Sequence, residues 1–307
     1  MKYESPLARR LRTVDRLARA SARTELWGTG LVVPTYWWDG HPNFGDDLTP
    51  WLLPDYGLVP VHRSPKEARL AGVGSIIEFL PDSFDGAIWG SGLIEERPRM
   101  LPAAKFLAVR GRHTRELVGQ SDSVAVGDPG ILVARHLRRP RVRWELGVVP
   151  HGHHRSHEGL AWLASRGAER VHVINVHQRA RAAVREIASC AVVLTTSLHG
   201  LVTADSFGIP AVWTVLDPPL DGGDFKFRDY ESAVSPGRTR FVAFDDDMTI
   251  DQISRAAGQV DADQVRRIGD SLERALGSLS EVIPHLPPFP LGMSQVLRTG
   301  RSPLRAR

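Results

Sequence analysis

Cysteine is nearly absent from these 307 residues. The one present, Cys190, allows no internal disulfide, fits a reducing cytoplasm and reads as buried filler. Long apolar runs are missing too: nothing approaches the roughly 18 to 20 consecutive apolar residues that a membrane span needs. The N-terminus has no apolar segment followed by a small-residue cleavage site, so no secretory signal is expected. Lysine is scarce, with four (Lys2, Lys66, Lys105, Lys226) against 39 − 4 = 35 arginines. The formal charge is +4 and the pI near 9.6, yet the basic residues are dispersed among acids and not gathered with aromatics along one element. Nucleic acid is therefore not an expected partner, and an anionic small substrate is. No Cys or carboxylate stands at a metal spacing such as H-E-x-x-H, so no metal is expected.

With 42% hydrophobic and 24% charged residues the chain has a globular composition. Its length favours two units over one. The most informative stretch is VVLTTSLHGLVTADSFGIPAVW, 192 to 213. A β-branched run breaks into Thr195, Thr196 and Ser197, meets Leu198-His199-Gly200, turns helical, stops at Gly208 and resumes as a second apolar run. This is a strand, a tight turn, a helix and a strand. In parallel sheets, ligands sit beyond the carboxyl ends of strands, where helix N-termini offer unpaired N–H groups. Thr195 to His199 occupy that place, and His199 is the sharpest candidate.

Residues 1 to 24 read as a basic amphipathic helix, either packed on the first domain or touching an anionic membrane face. From Gly28 to Tyr36 comes a first strand, then a turn at Asn43-Phe44-Gly45-Asp46 and a helix with Thr49 as N-cap and Pro50 at its first position. The runs 70 to 77 and 86 to 93 follow, the second carrying Trp89-Gly90-Ser91-Gly92, a candidate phosphate-approach turn. The strand Phe106 to Val109 delivers Arg110, Gly111 and Arg112 at its end, an anion site in the making. A further strand ends in Gly127-Asp128-Pro129-Gly130. About five βα-like units thus precede a basic linker at His136 to Arg143, and 25–138 reads as an N-terminal Rossmann-like domain. The strand Leu146 to Pro150 opens a second such domain, 139–283, and ends in His151-Gly152-His153-His154. There His151 is the expected ligand contact, while His153 and His154 line the loop. Strand 171 to 176 and helix 178 to 189 lead into the opening stretch. Leu216 to Arg240 reads as a long loop, a lid or sugar-binding segment that carries Lys226. One or two helices between 252 and 279 and a Pro-rich basic tail, 284–307, complete the chain.

Taken in order, the NFGD turn, WGSG, the VR-G-R strand end, VGDPG, VPHGHH, and LHG followed by GIP resemble the polysaccharide pyruvyl transferases over roughly residues 28 to 235. The aromatic start YWWDGHPNFGDDLTPWLL looks most like the exopolysaccharide ketal-pyruvate branch. The resemblance implies an α/β fold with two Rossmann-like domains facing across a cleft, similar to GT-B glycosyltransferases. It implies phosphoenolpyruvate as donor, no cofactor, and a pyruvate ketal placed on a sugar of a polysaccharide or glycolipid. The acceptor is then a sugar, free or lipid-linked, met in the cytoplasm or in peripheral contact with the inner membrane surface. Family members commonly carry Arg just before Leu-His-Gly, where this chain has Ser197. Arg110 or Arg112 is expected to supply that charge.

On this resemblance His199 is the acid that protonates the donor's methylene carbon. Arg110, Arg112, Thr196, Ser197, Leu198 and Gly92 form the donor site. Asn43, Asp46, His151, Asp128 and Lys226 face the sugar or act as base. Two other readings stay open: a nucleotide-sugar glycosyltransferase of the same shape, and a catalytically silent membrane-associated scaffold.

Overall fold

The computed structural model describes residues 6–299. Ten strands form two sheets, parallel throughout. The first holds β1 (Leu31–Tyr36), β2 (Leu58–His62), β3 (Leu70–Ala71), β4 (Ala87–Ser91), β5 (Lys105–Val109) and β6 (Ala125–Val126), in the order β2-β1-β3-β4-β5-β6. The second holds β7 (Trp144–Val149), β8 (Val171–Val173), β9 (Cys190–Thr195) and β10 (Ala211–Trp213), in the order β10-β9-β7-β8. The helices are α1 (Pro6–Ser21), α2 (Leu48–Leu52), α3 (Arg112–Leu117), α4 (Val133–His136), α5 (Glu158–Gly167) and α6 (Ala180–Ala188), then α7 (Leu198–Ser206), α8 (Phe225–Val234), α9 (Ile250–Ala256), α10 (Ala262–Gly277), α11 (Leu279–Val282) and α12 (Gly292–Thr299).

The mixed α/β class with parallel sheets is as expected. The sixth strand of the first sheet, β2, was not anticipated because Pro60 interrupts its apolar run. As an edge strand it has one side on which no ladder bond is required, and that is where a strand tolerates proline. Each sheet starts a second strand outward from its first and then returns to the other side. The two places where the order reverses therefore lie between β1 and β3 and between β7 and β9, and such a reversal opens a crevice at the strands' carboxyl ends.

One hydrophobic core runs between the sheets, joining Val33, Leu48 and Trp89 of the first to Val149, Val193 and Trp213 of the second. Residues 262–277, within the stretch expected to belong to the second half, lie on the first sheet. There α10 packs over β4, β5 and β6, and the indole N–H of Trp89 donates to Leu272 O at 2.9 Å. The chain then returns to β1: Val32 N donates to Pro287 O and Gly28 N to Phe289 O, both at 2.8 Å.

The expected loop 216–240 contains α8, and α8 is a wedge. Its Phe227 ring stacks on Trp213 with centroids 4.6 Å apart, while its Asp229 reaches the end of β5. There Asp229 Oδ2 accepts from Arg110 Nε at 2.8 Å, and its two oxygens also accept from the amide and hydroxyl of Thr114. Both charges are fully buried. Removing one partner of such a pair strands the other charge in a medium that solvates it poorly, typically at a cost of about 3–5 kcal/mol. Asp229→Ala is accordingly expected to lose a few kcal/mol in urea unfolding, and a loss below about 1 kcal/mol would show that the pair does not hold α8 to the first sheet.

Candidate functional site

The crevices of both sheets open into one cavity of about 520 Å³. Its wall is assembled from residues that follow six strands: Trp38, His41, Asn43 and Asp46 after β1, Ser75, Ile76 and Phe79 after β3, and Ile94 after β4. From the second sheet come His151 and His153 after β7 and Ser197, Leu198 and His199 after β9, with Leu220, Asp221 and Lys226 beyond β10.

His199 stands in the first turn of α7, with its side chain 10% exposed. Its Nε2 lies 3.4 Å from Asp128 Oδ2, within ion-pair range and long for a hydrogen bond. Neither atom makes a hydrogen bond to any other described group. Asp128 comes from the first sheet: it caps the turn after β6, its Oδ1 accepting from Gly130 N at 2.8 Å. The imidazole and its carboxylate thus come from opposite sheets. The other side of the ring is closed by Gly45, where an added Cβ would stand 2.1 Å from His199 Nδ1. The NFGD turn brings backbone against the imidazole at that point, and only glycine leaves room.

The same turn sets Asp46. Asn43 Nδ2 donates to Asp46 Oδ2 at 2.7 Å, and Gly45 N donates to Asn43 Oδ1 at 3.2 Å. Burial pushes the Asp46 carboxyl up to about 7, with the nearby His199 only partly offsetting it. Lys226, in the first turn of α8, is brought down to about 8 by burial and then by the Arg110 charge. Its ammonium makes no hydrogen bond or ion pair to any described group. Burial also drives His151 far below the usual imidazole range, with Lys226 adding to the effect, so it is neutral at pH 7. The cavity floor therefore carries a lysine in no direct ion pair, with Asp221 and Asp46 the nearby carboxylates, beside the N-terminus of α7, whose Leu198 and His199 amides have no helical carbonyl to reach.

Several expectations are corrected. Arg110 does not line the cavity: it is wholly buried behind Ser75, and its guanidinium is committed to Asp229, the Ser75 hydroxyl and Leu93 O. Arg112 lies on the surface, its Nε donating to Ser232 O at 2.8 Å. WGSG is a packing motif and no phosphate turn. A Cβ on Gly92 would stand 2.2 Å from Arg110 Cζ, one on Gly90 would stand 2.1 Å from Pro129 Cδ, and the Ser91 hydroxyl donates to Gly72 O. Thr196 is buried behind the wall, its Oγ1 accepting from His151 N at 2.8 Å and lying 3.0 Å from His154 Nδ1. His154 is itself buried, bonded to Thr196 and Pro218, and does not line the loop. Thr49 is no N-cap, since that position is Asp47; its hydroxyl accepts from Val73 N. Among the described residues no group of three His, Cys, Asp or Glu could hold a metal ion, and no helix is long and apolar enough to cross a membrane. Ser75, Phe79 and Asp221 were not singled out as site residues; the signal was their position just past a strand end.

Asp46→Asn tests the electrostatics. A carboxyl raised from 3.8 to about 7 binds its proton in the folded state over a pH range where the unfolded chain has released it. Folded stability therefore falls as pH rises across that range. Urea unfolding should show Asp46→Asn gaining on the wild type from about pH 4 to pH 7 and holding a constant lead above; a difference independent of pH would overturn the assignment.

With the geometry in place, comparison with known proteins bears out the resemblance read from the motif order. Residues 77–218 match the model of the family described as polysaccharide pyruvyl transferase. The chain is 30% identical over 204 residues to the succinoglycan biosynthesis protein ExoV of Rhizobium meliloti (strain 1021), covering 64% of this chain and 63% of that one. It is 28% identical over 166 residues to an uncharacterized protein of Acanthamoeba polyphaga mimivirus, covering 51% and 58%. The chain thus spans less than two thirds of the length of these curated relatives. Among solved structures, an uncharacterized protein from Klebsiella pneumoniae is similar at a TM-score of 0.38 and 12% identity, over 74% of this chain and 98% of that one. AviGT4, a glycosyltransferase involved in Avilamycin A biosynthesis, is similar at 0.37 and 16% identity, over 79% and 90%. Scores that low carry no argument about this chain.

Proposed function

We propose that this chain, whose residues 77–218 match the polysaccharide pyruvyl transferases, transfers the enolpyruvyl group of phosphoenolpyruvate to a sugar and closes it to a ketal with release of phosphate. The observation that carries the reading is the convergence in one cavity of His199 with its carboxylate, a lysine in no direct ion pair, and a half-neutralised Asp46. The layout of two parallel sheets meeting at their strand ends supports a GT-B-like description.

The donor carries a carboxylate and a phosphate. Lys226, the Ser197 hydroxyl and the Leu198 and His199 amides of α7 are the groups free to receive them. This moves the charge missing at Ser197 from Arg110 to Lys226. His199 as imidazolium, paired with Asp128, delivers a ring proton to the methylene carbon of the donor, which becomes a methyl group. The adjacent carbon takes on cationic character and a sugar hydroxyl attacks it, its proton passing to Asp46, held in place by Asn43. A second hydroxyl then displaces phosphate at the same carbon: one carbon–oxygen bond forms, one breaks, and its proton leaves with the phosphate. Neutral His151 can accept a hydrogen bond from the acceptor. A lipid-linked acceptor would meet the protein at the cytoplasmic membrane face, where the exposed Leu11 and Val14 of the basic α1 could touch the surface.

The test has two readouts. Phosphoenolpyruvate alone should raise the melting temperature of the wild type, and less so that of Lys226→Ala, while Arg112→Ala behaves as wild type. Phosphate release with a glycan acceptor should fall by about 10²-fold or more in His199→Ala, and the ascending limb of its pH profile should lie near 7, where Asp46 is freed to act as base. Stabilisation by a nucleotide-sugar and not by phosphoenolpyruvate would replace this reading with glycosyl transfer. Undiminished turnover in His199→Ala would remove the acid.

A further inference from the structure

The polar floor occupies only part of the cavity. On the first-sheet side the wall changes character: Trp38, Ile76, Phe79 and Ile94 present rings and aliphatic carbons. Phe79 is 42% exposed, and its ring lies 5.5 Å from that of Trp38 at 31°. The two rings form a shallow aromatic wall at the rim. Trp38 also packs against the core of the first sheet, whereas Phe79 belongs to no core cluster and faces the cavity.

The wall is built to stay in place. Trp38 follows Trp37, which is wholly buried just past the end of β1. The Trp38 ring folds over Gly40, where an added Cβ would stand 2.6 Å from its Cζ2. Its indole nitrogen lies 3.4 Å from His41 Nδ1. Phe79 ends the turn Ile77–Phe79, and the neighbouring Glu78 ties that turn to the strand-end loop opposite by accepting from Ile94 N at 2.5 Å and from Glu95 N at 3.1 Å. The two sides of the wall are therefore fixed to each other before any ligand arrives.

A three-carbon phosphorylated acid has no use for such a surface. Its charges would be desolvated there without a cation, since Lys226 sits on the floor. A pyranose ring is the small solute that fits both zones, because one face carries only C–H groups, which lie favourably on the electron-rich face of an aromatic ring, while hydroxyls project from its edge. We propose that Trp38 and Phe79 form the platform for the acceptor sugar, holding its apolar face so that its hydroxyl edge points toward Asp46 and His199. Gly40 is then a positioning residue: it touches no sugar and sets where the Trp38 ring lies.

This platform rests on the reading of the cavity as a transferase site, and the experiment separates the two. Binding of neutral β-linked hexose tetrasaccharides (1,3-, 1,4- and 1,6-linked) to the full chain is measured by calorimetry without donor, and stabilisation by phosphoenolpyruvate is measured in parallel. The wild type is expected to bind at least one tetrasaccharide. Trp38→Ala should weaken that binding about tenfold or more, as loss of one ring contact of about 1.4 kcal/mol implies. Trp38→Phe should recover most of it, and Gly40→Ala should weaken it while leaving the response to phosphoenolpyruvate unchanged. Unaltered tetrasaccharide binding in Trp38→Ala and Phe79→Ala overturns the platform, as does a wild type that binds none of the three. Loss of the phosphoenolpyruvate response in Trp38→Ala, with sugar binding intact, would assign the wall to the donor and overturn it as well. A wild type that binds sugar and ignores phosphoenolpyruvate leaves the platform standing and defeats the donor assignment alone.

Discussion

The contact between Arg110 and Asp229 organises the molecule more than any other. It joins the end of a strand in one sheet to a helix that has just left the other, and it does so where water does not reach. Because Asp229 also holds the amide and hydroxyl of Thr114, the helix is fixed in both rotation and height against α3. Three residues earlier on the same helix stands Lys226, so the position of the cavity's cation follows from the buried pair. Gly92 and Gly111 complete the arrangement: a Cβ on the first would collide with the guanidinium and one on the second with the Asp229 carbonyl. The glycines flanking Arg110 in space are thus part of how an arginine comes to be enclosed there.

The chemistry of the cavity follows from the meeting of two sheet crevices. Either alone would offer a helix terminus and a few strand-end side chains open to solvent. Facing one another, they exclude enough water that an ordinary aspartate retains its proton to about pH 7 and an ordinary lysine begins to lose its own near 8. These opposed shifts have one cause. They poise a proton acceptor and a proton donor near neutrality without any unusual residue, and they leave a cation ready for an anion that would restore the lost solvation.

Much of this was legible in the sequence because strand-end chemistry is local. The apolar run into Thr195-Thr196-Ser197 marks where β9 ends and α7 begins, and Ser197, Leu198 and His199 line the cavity accordingly. His151 closely follows β7, and Asn43 and Asp46 stand in the turn that carries the chain from β1 to α2. Side chains that reach back were not legible. Arg110 directly follows β5 just as His151 closely follows β7, but its partner lies 119 residues away in a segment whose Asp, Pro and Gly content suggested a loop. Asp128 was placed toward the sugar, whereas a cap to Gly130 turns its other oxygen to the imidazole. Local pattern gives the site of emergence; which way a long side chain turns depends on a partner that pattern does not name. The edge strand β2 escaped for a related reason, since whether Pro60 is tolerated depends on the strand's place in the sheet.

The return of the chain to its first sheet has a consequence for biogenesis. The face of β4, β5 and β6 is covered by α10, and β1 is met by residues 287 to 289, yet everything from β7 to α9 is synthesised in between. A nascent chain emerging from the ribosome can pair the first six strands but cannot cover them until residues 262 to 289 have appeared. Trp89 and its neighbours wait uncovered through that interval, so the first sheet is completed only after the strands of the second have been made.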